Sequence, residues 1–146
     1  MEHTFFFQER EWTGTGEYVD GTGAKIPFGG TAKTVHTEDL WFHEGRMTLS
    51  PPGGPPMTFE NRCEIVPFRE GKGETAWTSR NPSLGLLTGR FVIANEAILS
   101  FCSSENGVFT GYEVFVQLDG VTYGNWGTLF RGNERLSSWS LRLRCA

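Results

Sequence analysis

Cysteine is scarce in this chain: Cys63, Cys102 and Cys145 are the only three. They lie far apart, and no Cys-x-x-Cys or Cys/His ligand spacing joins them. A zinc site is therefore not expected, and the three read as buried free thiols of a cytosolic protein. Alanine is short as well, with 6 residues against 15 threonines and 19 glycines. That balance suits strands and tight turns and argues against a helical bundle. Positive charge is in deficit, with 13 Lys and Arg against 17 Asp and Glu, for a net charge of -4. An acidic chain of this kind is not an electrostatic binder of nucleic acid. No run of apolar residues is long enough to span a membrane as a helix. The N-terminus carries three phenylalanines, Phe5 to Phe7, between acidic flanks. It lacks the basic start and long apolar stretch of a signal peptide, and neither end carries a lipidation motif. A cytoplasmic location is the expectation.

What is present suits one ordered domain over residues 1–146. A chain of this size buries about 68% of the surface its unfolded form exposes. Apolar residues make up 38% and aromatics 14%, enough for a core without staples.

Turn signals recur at short spacing, among them Asp20-Gly21, Gly29-Gly30, Glu44-Gly45, Asn95-Glu96, Asn106-Gly107 and Asp119-Gly120. Asn-Gly and Asp-Gly favour two-residue hairpins because both residues tolerate positive φ. Segments of strand length lie between them. The reading is ten strands near 11–18, 33–43, 46–50, 57–67, 74–81, 85–94, 97–104, 109–118, 121–131 and 135–144. Alternation is clearest from Met57, where Phe59, Asn61, Cys63 and Ile65 oppose Thr58, Glu60, Arg62 and Glu64. Farther on, Val108, Tyr112, Val114, Val116 and Leu118 share one face, with Glu113 and Gln117 on the other. Trp139, Leu141, Leu143 and Cys145 alternate with serines and arginines. Residues 4–9 suit a short turn capped by Thr4, with the phenylalanines as a plug. Residues 20–30 read as a loop across one mouth, with Ile26 and Phe28 as lid. Ser50 to Pro56 reads as a stiff loop, because proline cannot donate to a ladder. Short links throughout imply an all-β fold: a single antiparallel meander barrel of about ten strands, which removes its edges by closing.

The first strand reads Glu11-Trp-Thr-Gly-Thr-Gly-Glu-Tyr18 and the last carries Trp139-Ser-Leu-Arg-Leu-Arg144. In this the chain resembles the calycin superfamily, which includes lipocalins, fatty-acid-binding proteins and nitrobindin-like barrels. The resemblance implies a lipocalin-like barrel that takes a small molecule inside. It also implies a closing pair, with Trp12 packed by Arg142 or Arg144 in a cation–π stack. Gly14 and Gly16 follow Trp12 where a lipocalin glycine would precede it, so the subfamily stays open. Nitrobindin-like barrels hold haem through a histidine near the C-terminus. Here His3, His36 and His43 all fall in the first third, so no haem is expected. The resemblance to barrel-fold bilin lyases is one of fold alone.

Candidate pocket residues are Tyr112, Tyr123, Asn125 and Trp126, with Phe28 at the mouth. Tyr and Trp combine apolar area with a donor, and the glycines at 124 and 127 permit close approach. His36 and His43, read in one strand at odd separation, fall on opposite faces and share no metal. Arg62, Arg80 and Arg90 read as solvent-facing. Glu105 and Glu113 flank a hairpin and read as solvated. The favoured function is binding of a small apolar or amphipathic ligand inside the barrel. An isomerase or lyase using the same cavity is the second reading, with Glu113, Tyr112 and Tyr123 as its candidates. No Ser/His/Asp or Cys/His constellation is legible, so no catalytic residue, cofactor or metal is assigned. The third reading is a filled barrel acting through its surface. A homodimer is compatible with all three.

Overall fold

The computed structural model describes residues 2–146. It contains ten strands: β1 (Glu11–Asp20), β2 (Lys25–His36), β3 (Trp41–Leu49), β4 (Met57–Ile65), β5 (Glu74–Asn81), β6 (Gly85–Ala94), β7 (Ala97–Ser104), β8 (Phe109–Asp119), β9 (Thr122–Arg131) and β10 (Glu134–Cys145). Each pairs antiparallel with its chain neighbour, and β1 pairs with β10 to close the barrel. This is the single antiparallel ten-strand meander barrel that the sequence predicts. No helix of the described residues is long and apolar enough to cross a membrane.

Two strands differ from their sequence-based reading. Residues 25–30 are not a mouth loop but the first half of β2, so Phe28 is a strand residue. Glu44-Gly45 is not a turn but the middle of β3. The reason is close packing. A Cβ on Gly30 would overlap the Arg46 carbonyl of β3, and one on Gly16 would overlap the Ser140 carbonyl of β10. Glycines that look like breakers are here the residues that let neighbouring strands approach. A further consequence is that His36 and His43 lie on adjacent strands, at paired positions His36↔Trp41 and Thr34↔His43. Alternation then puts both histidines on the inner face.

One end of the barrel is sealed by the N-terminal segment. Gln8 donates to the Thr4 carbonyl at 3.0 Å, forming the single turn expected there. Phe5 and Phe6 hang from it into the barrel and are 1% and 2% exposed. Burial of each such ring stabilises by roughly 1.5–3 kcal/mol. The plug is worth a strained backbone, since Phe6 has φ of 68°. Phe5 stacks on Phe115 at 4.8 Å and packs against Trp12 at 5.2 Å, while Phe6 meets Phe91 at 4.6 Å. Ile65, Ile98, Tyr123 and Leu143 complete this core. A second, smaller cluster at the opposite end gathers Phe28, Leu49 and Leu141, with Tyr18, Met47 and Trp139 against them.

The expected closing pair of Trp12 and Arg142 is not formed. Leu141, Leu143 and Cys145 face inward, so Arg142 and Arg144 point outward and are exposed. Arg142 lies opposite Thr15 and Gly124 in the ladder, away from the Trp12 indole. Arg10 serves the sealed end instead, donating to the Gly120 carbonyl at 3.0 Å and to Cys145 Sγ at 3.4 Å.

Candidate functional site: a half-open lumen

The barrel is a cup. Its sealed end is buried, and at the other end the wall opens along β4 while Phe28, Leu49 and Leu141 stay covered. Met57 and Phe59 occupy inner positions of β4 yet are 59% and 41% exposed. The opening has a structural cause. β4 and β5 pair only at Cys63↔Ser79, Glu64↔Thr78 and Ile65↔Trp77, so the earlier part of β4 splays from the wall. Phe28 stacks on Phe59 at 5.9 Å and forms one side of this mouth.

Glu113 faces into the cup from β8. The register runs Glu113↔Gly127 and then Gly127↔Trp139, so β9 offers only a glycine between the two side chains. A Cβ on Gly127 would overlap the Trp139 ring. The indole therefore lies across β9, and its Nε1 donates to Glu113 Oε2 at 3.1 Å. The Asn125 side-chain amide, on the neighbouring inward position of β9, also hydrogen-bonds this carboxyl. Burial raises the Glu113 pKa above the ordinary carboxylate value, and the Asn125 amide and Trp139 indole offset this in part.

His43, Cys63 and Cys102 face the same lumen and are half-buried. His43 Nδ1 is 3.0 Å from the Thr34 hydroxyl. Burial lowers its pKa to about 4, so the ring is neutral at pH 7. Burial, followed by the negative charge of Glu113, pushes the Cys63 thiol up. Burial pushes the Cys102 thiol up too. Protonated thiols are poor nucleophiles. Among the described residues no three His, Cys, Asp or Glu side chains converge as a metal site.

The expected pocket residues are split by the wall. Asn125 is inward and 2% exposed, with Nδ2 donating to the Val114 carbonyl at 3.2 Å. Tyr123 is inward and fully buried, but its hydroxyl holds the plug. It accepts from the Thr4 and Phe5 amides at 3.0 and 3.4 Å and pairs with His3 Nδ1 at 2.8 Å. Phe28 is buried at the mouth, within the second cluster. Tyr112 and Trp126 are corrections: they point outward and are 53% and 45% exposed. The apolar face of β8 is its outer face, and Glu113 lies on the inner one. Glu113 is thus no hairpin-side surface charge, as Glu105 is.

Tyr112 and Trp126 belong to an exterior patch. Phe101 lies beside Tyr112, Leu99 beside Val114, and Val114 beside Trp126. Phe101 is 49% exposed and Leu99 42%. A groove of about 430 Å³ runs along Thr88, Arg90, Phe101 and Tyr112 on this wall.

No protein family matches the sequence, and no curated protein matches it. Among solved structures the chain is similar to the S-type phycobiliprotein lyase CPES from Guillardia theta. The TM-score is 0.68 at 6% identity, over 97% of this chain and 89% of that one. A putative AttH from Nitrosomonas europaea matches with a TM-score of 0.32 at 14% identity, over 97% of this chain and 51% of that one. A hot dog fold protein of unknown function from Alicyclobacillus acidocaldarius matches with a TM-score of 0.30 at 8% identity, over 95% and 79%. The last two likenesses are too distant to carry an argument. The likeness to the lyase is one of fold: a barrel of this architecture.

Proposed function

We propose that the chain binds a small molecule with an apolar body in the open half of its barrel, seated against Trp139 and Phe59 and anchored at Glu113. The observation that carries this reading is the inward carboxyl of Glu113. It is held by neutral donors, the Trp139 indole and the Asn125 amide, and by no cation among the described residues. A polar group in an otherwise apolar concavity is how small-molecule sites fix orientation. Native mass spectrometry of freshly purified protein, compared with its denatured mass, tests the proposal. Extra mass that leaves on denaturation is the expected result. An unliganded mass, with no thermal shift across fatty acids, amines, bilins and flavins, would remove it.

Turnover in the same cup is the neighbouring reading, favoured by the raised Glu113 pKa. Its one acid–base candidate is Glu113, because Tyr112 faces outward and Tyr123 is committed to the plug. Unchanged turnover of an identified ligand by Glu113→Gln would discard it.

The outer patch supports a surface reading, in which the β7–β9 wall meets a second copy of the chain. Contiguous exposed aromatics of this kind mark interaction faces. Sedimentation over a range of concentrations tests it: a dimer that Trp126→Lys dissociates is expected, and a monomer throughout would exclude it.

A further inference from the structure

The charge inventory of the lumen restricts what the cup accepts. Alternation sends most of the basic strand side chains outward. Lys33, Arg46, Arg62 and Arg90 lie on the outer face, where they pair with Glu44, Glu60, Glu44 and Glu74 at 3.8, 3.7, 3.6 and 2.8 Å. The inward positions hold one basic side chain of β9, Arg131, at the rim and paired with Glu134 at 3.3 Å. The inward carboxylate of β1, Asp20, is at the same rim. It is consumed by the turn it closes, accepting from Thr22 and Ala24. His36 is committed to the Phe6 carbonyl at 2.7 Å. His43 is neutral at pH 7. Deep in the cup, Glu113 is the acid that no cation of the described residues answers.

We infer that the cup selects an organic cation, a protonated amine or amidine on an apolar aromatic-sized body, with its charge set against the Glu113 carboxylate and its body against Trp139. The inference rests on the ligand-binding reading above and names its ligand class. A buried carboxylate held only by neutral donors is costly, and an ammonium group supplies the missing counter-charge. An anionic amphiphile meets the opposite situation. Among the described residues no inward cation is free to receive its carboxylate, and Glu113 repels it.

Three ligands of one shape test this: 1-naphthylmethylamine, 1-naphthylmethanol and 1-naphthylacetate. Titration is by calorimetry and by tryptophan emission at pH 7, on the wild-type chain and Glu113→Gln. The amine should bind about tenfold or more tighter than the acetate, with the alcohol between, since the amine answers the carboxylate's charge and the acetate adds to it. In Glu113→Gln the amine should lose about that factor and the preference should vanish. Glu113→Asp serves if the glutamine variant does not fold: it keeps the charge but withdraws it by one methylene, so the amine should weaken without losing its lead. Equal binding of the three ligands, or an amine preference that survives Glu113→Gln, would overturn the cation inference while leaving the cup as a binding site. Failure of all three to bind, with emission and melting temperature unmoved, would overturn the cup reading itself.

Discussion

Trp139 reaches across β9 to Glu113, its Nε1 3.1 Å from Oε2, and it can do so because residue 127 between them is glycine. Three inward positions in one cross-strand row thus act together: an acid, a gap and an indole. The same device recurs deeper in the barrel, where Trp77 lies over Gly89 of β6.

Gly127→Ala should break this row. The added methyl group displaces the Trp139 ring, and the bond to Glu113 is lost. The expected cost is about 1–3 kcal/mol, the range for overpacking a fitted site. The Trp139 indole N–H resonance, assigned by its absence in Trp139→Phe, should move to a solvent-like position. An unchanged resonance would show that the row does not depend on the glycine.

Glu113→Gln should raise the melting temperature of the unliganded protein at neutral pH. The native state resists ionising this carboxyl, so its folded pKa lies above the unfolded value. Between those values the native state holds the proton and the unfolded chain does not. Stability from this group therefore falls as pH rises through the window. The amide keeps an acceptor for Trp139 without carrying charge. A melting temperature lower than wild type at pH 7 would show that the carboxylate is better solvated than its surroundings suggest.

His43 gives the opposite slope. Its folded pKa of about 4 lies below the ordinary 6.5, so between those values the unfolded chain binds a proton that the native state does not. Stability should fall as pH drops from 6.5 to 4, by up to about 3 kcal/mol. Urea unfolding at intervals of pH measures this. His43→Gln should flatten that part of the curve, and a profile unchanged by the substitution would assign the slope to other groups.

Phe5→Ala should cost about 3–5 kcal/mol, as for other buried rings. Phe5 touches Phe6, Trp12, Phe115 and Tyr123, so the loss unseats the plug as well as leaving a cavity. Hydrogen exchange of the β8 and β9 amides near Phe115 and Tyr123 should accelerate. Exchange unchanged there would mean that the plug is an accessory to the core.

Arg10 and Arg142 should separate cleanly. Arg10→Ala removes the bonds to Gly120 and Cys145 and should cost about 1 kcal/mol. Arg142→Ala removes an exposed side chain and should leave the melting temperature essentially unmoved. Thermal unfolding of the two variants decides between the plug and an arginine stack as the seal of the barrel.

The ten strands, their meander order and the phenylalanine plug were legible in the sequence, because turn chemistry and period-two alternation are local. The second and third strands were misplaced where Gly29-Gly30 and Glu44-Gly45 resemble turns. In the barrel those glycines relieve contact between neighbouring strands, a demand made by residues far away in the chain. The candidate site suffered more. Alternation in β8 separates Tyr112 and Val114 from Glu113 and Gln117, but nothing local says which set faces in. Hydrophobicity favoured the valines and the tyrosine, and the structure turns them outward. The usable signal was the partner strand: pairing with β9 sets Glu113 beside Gly127 and Phe115 beside Asn125.

By itself the sequence determined the class of fold, the number of strands and the spacing of turns, since each depends on backbone preferences of a few adjacent residues. Tertiary structure alone decided which face of each strand became the lumen. That choice is collective: once β1 and β10 pair, the inward parity of one strand dictates that of all the others. It is also what brings Glu113, Gly127 and Trp139 into one row and leaves the arginines outside.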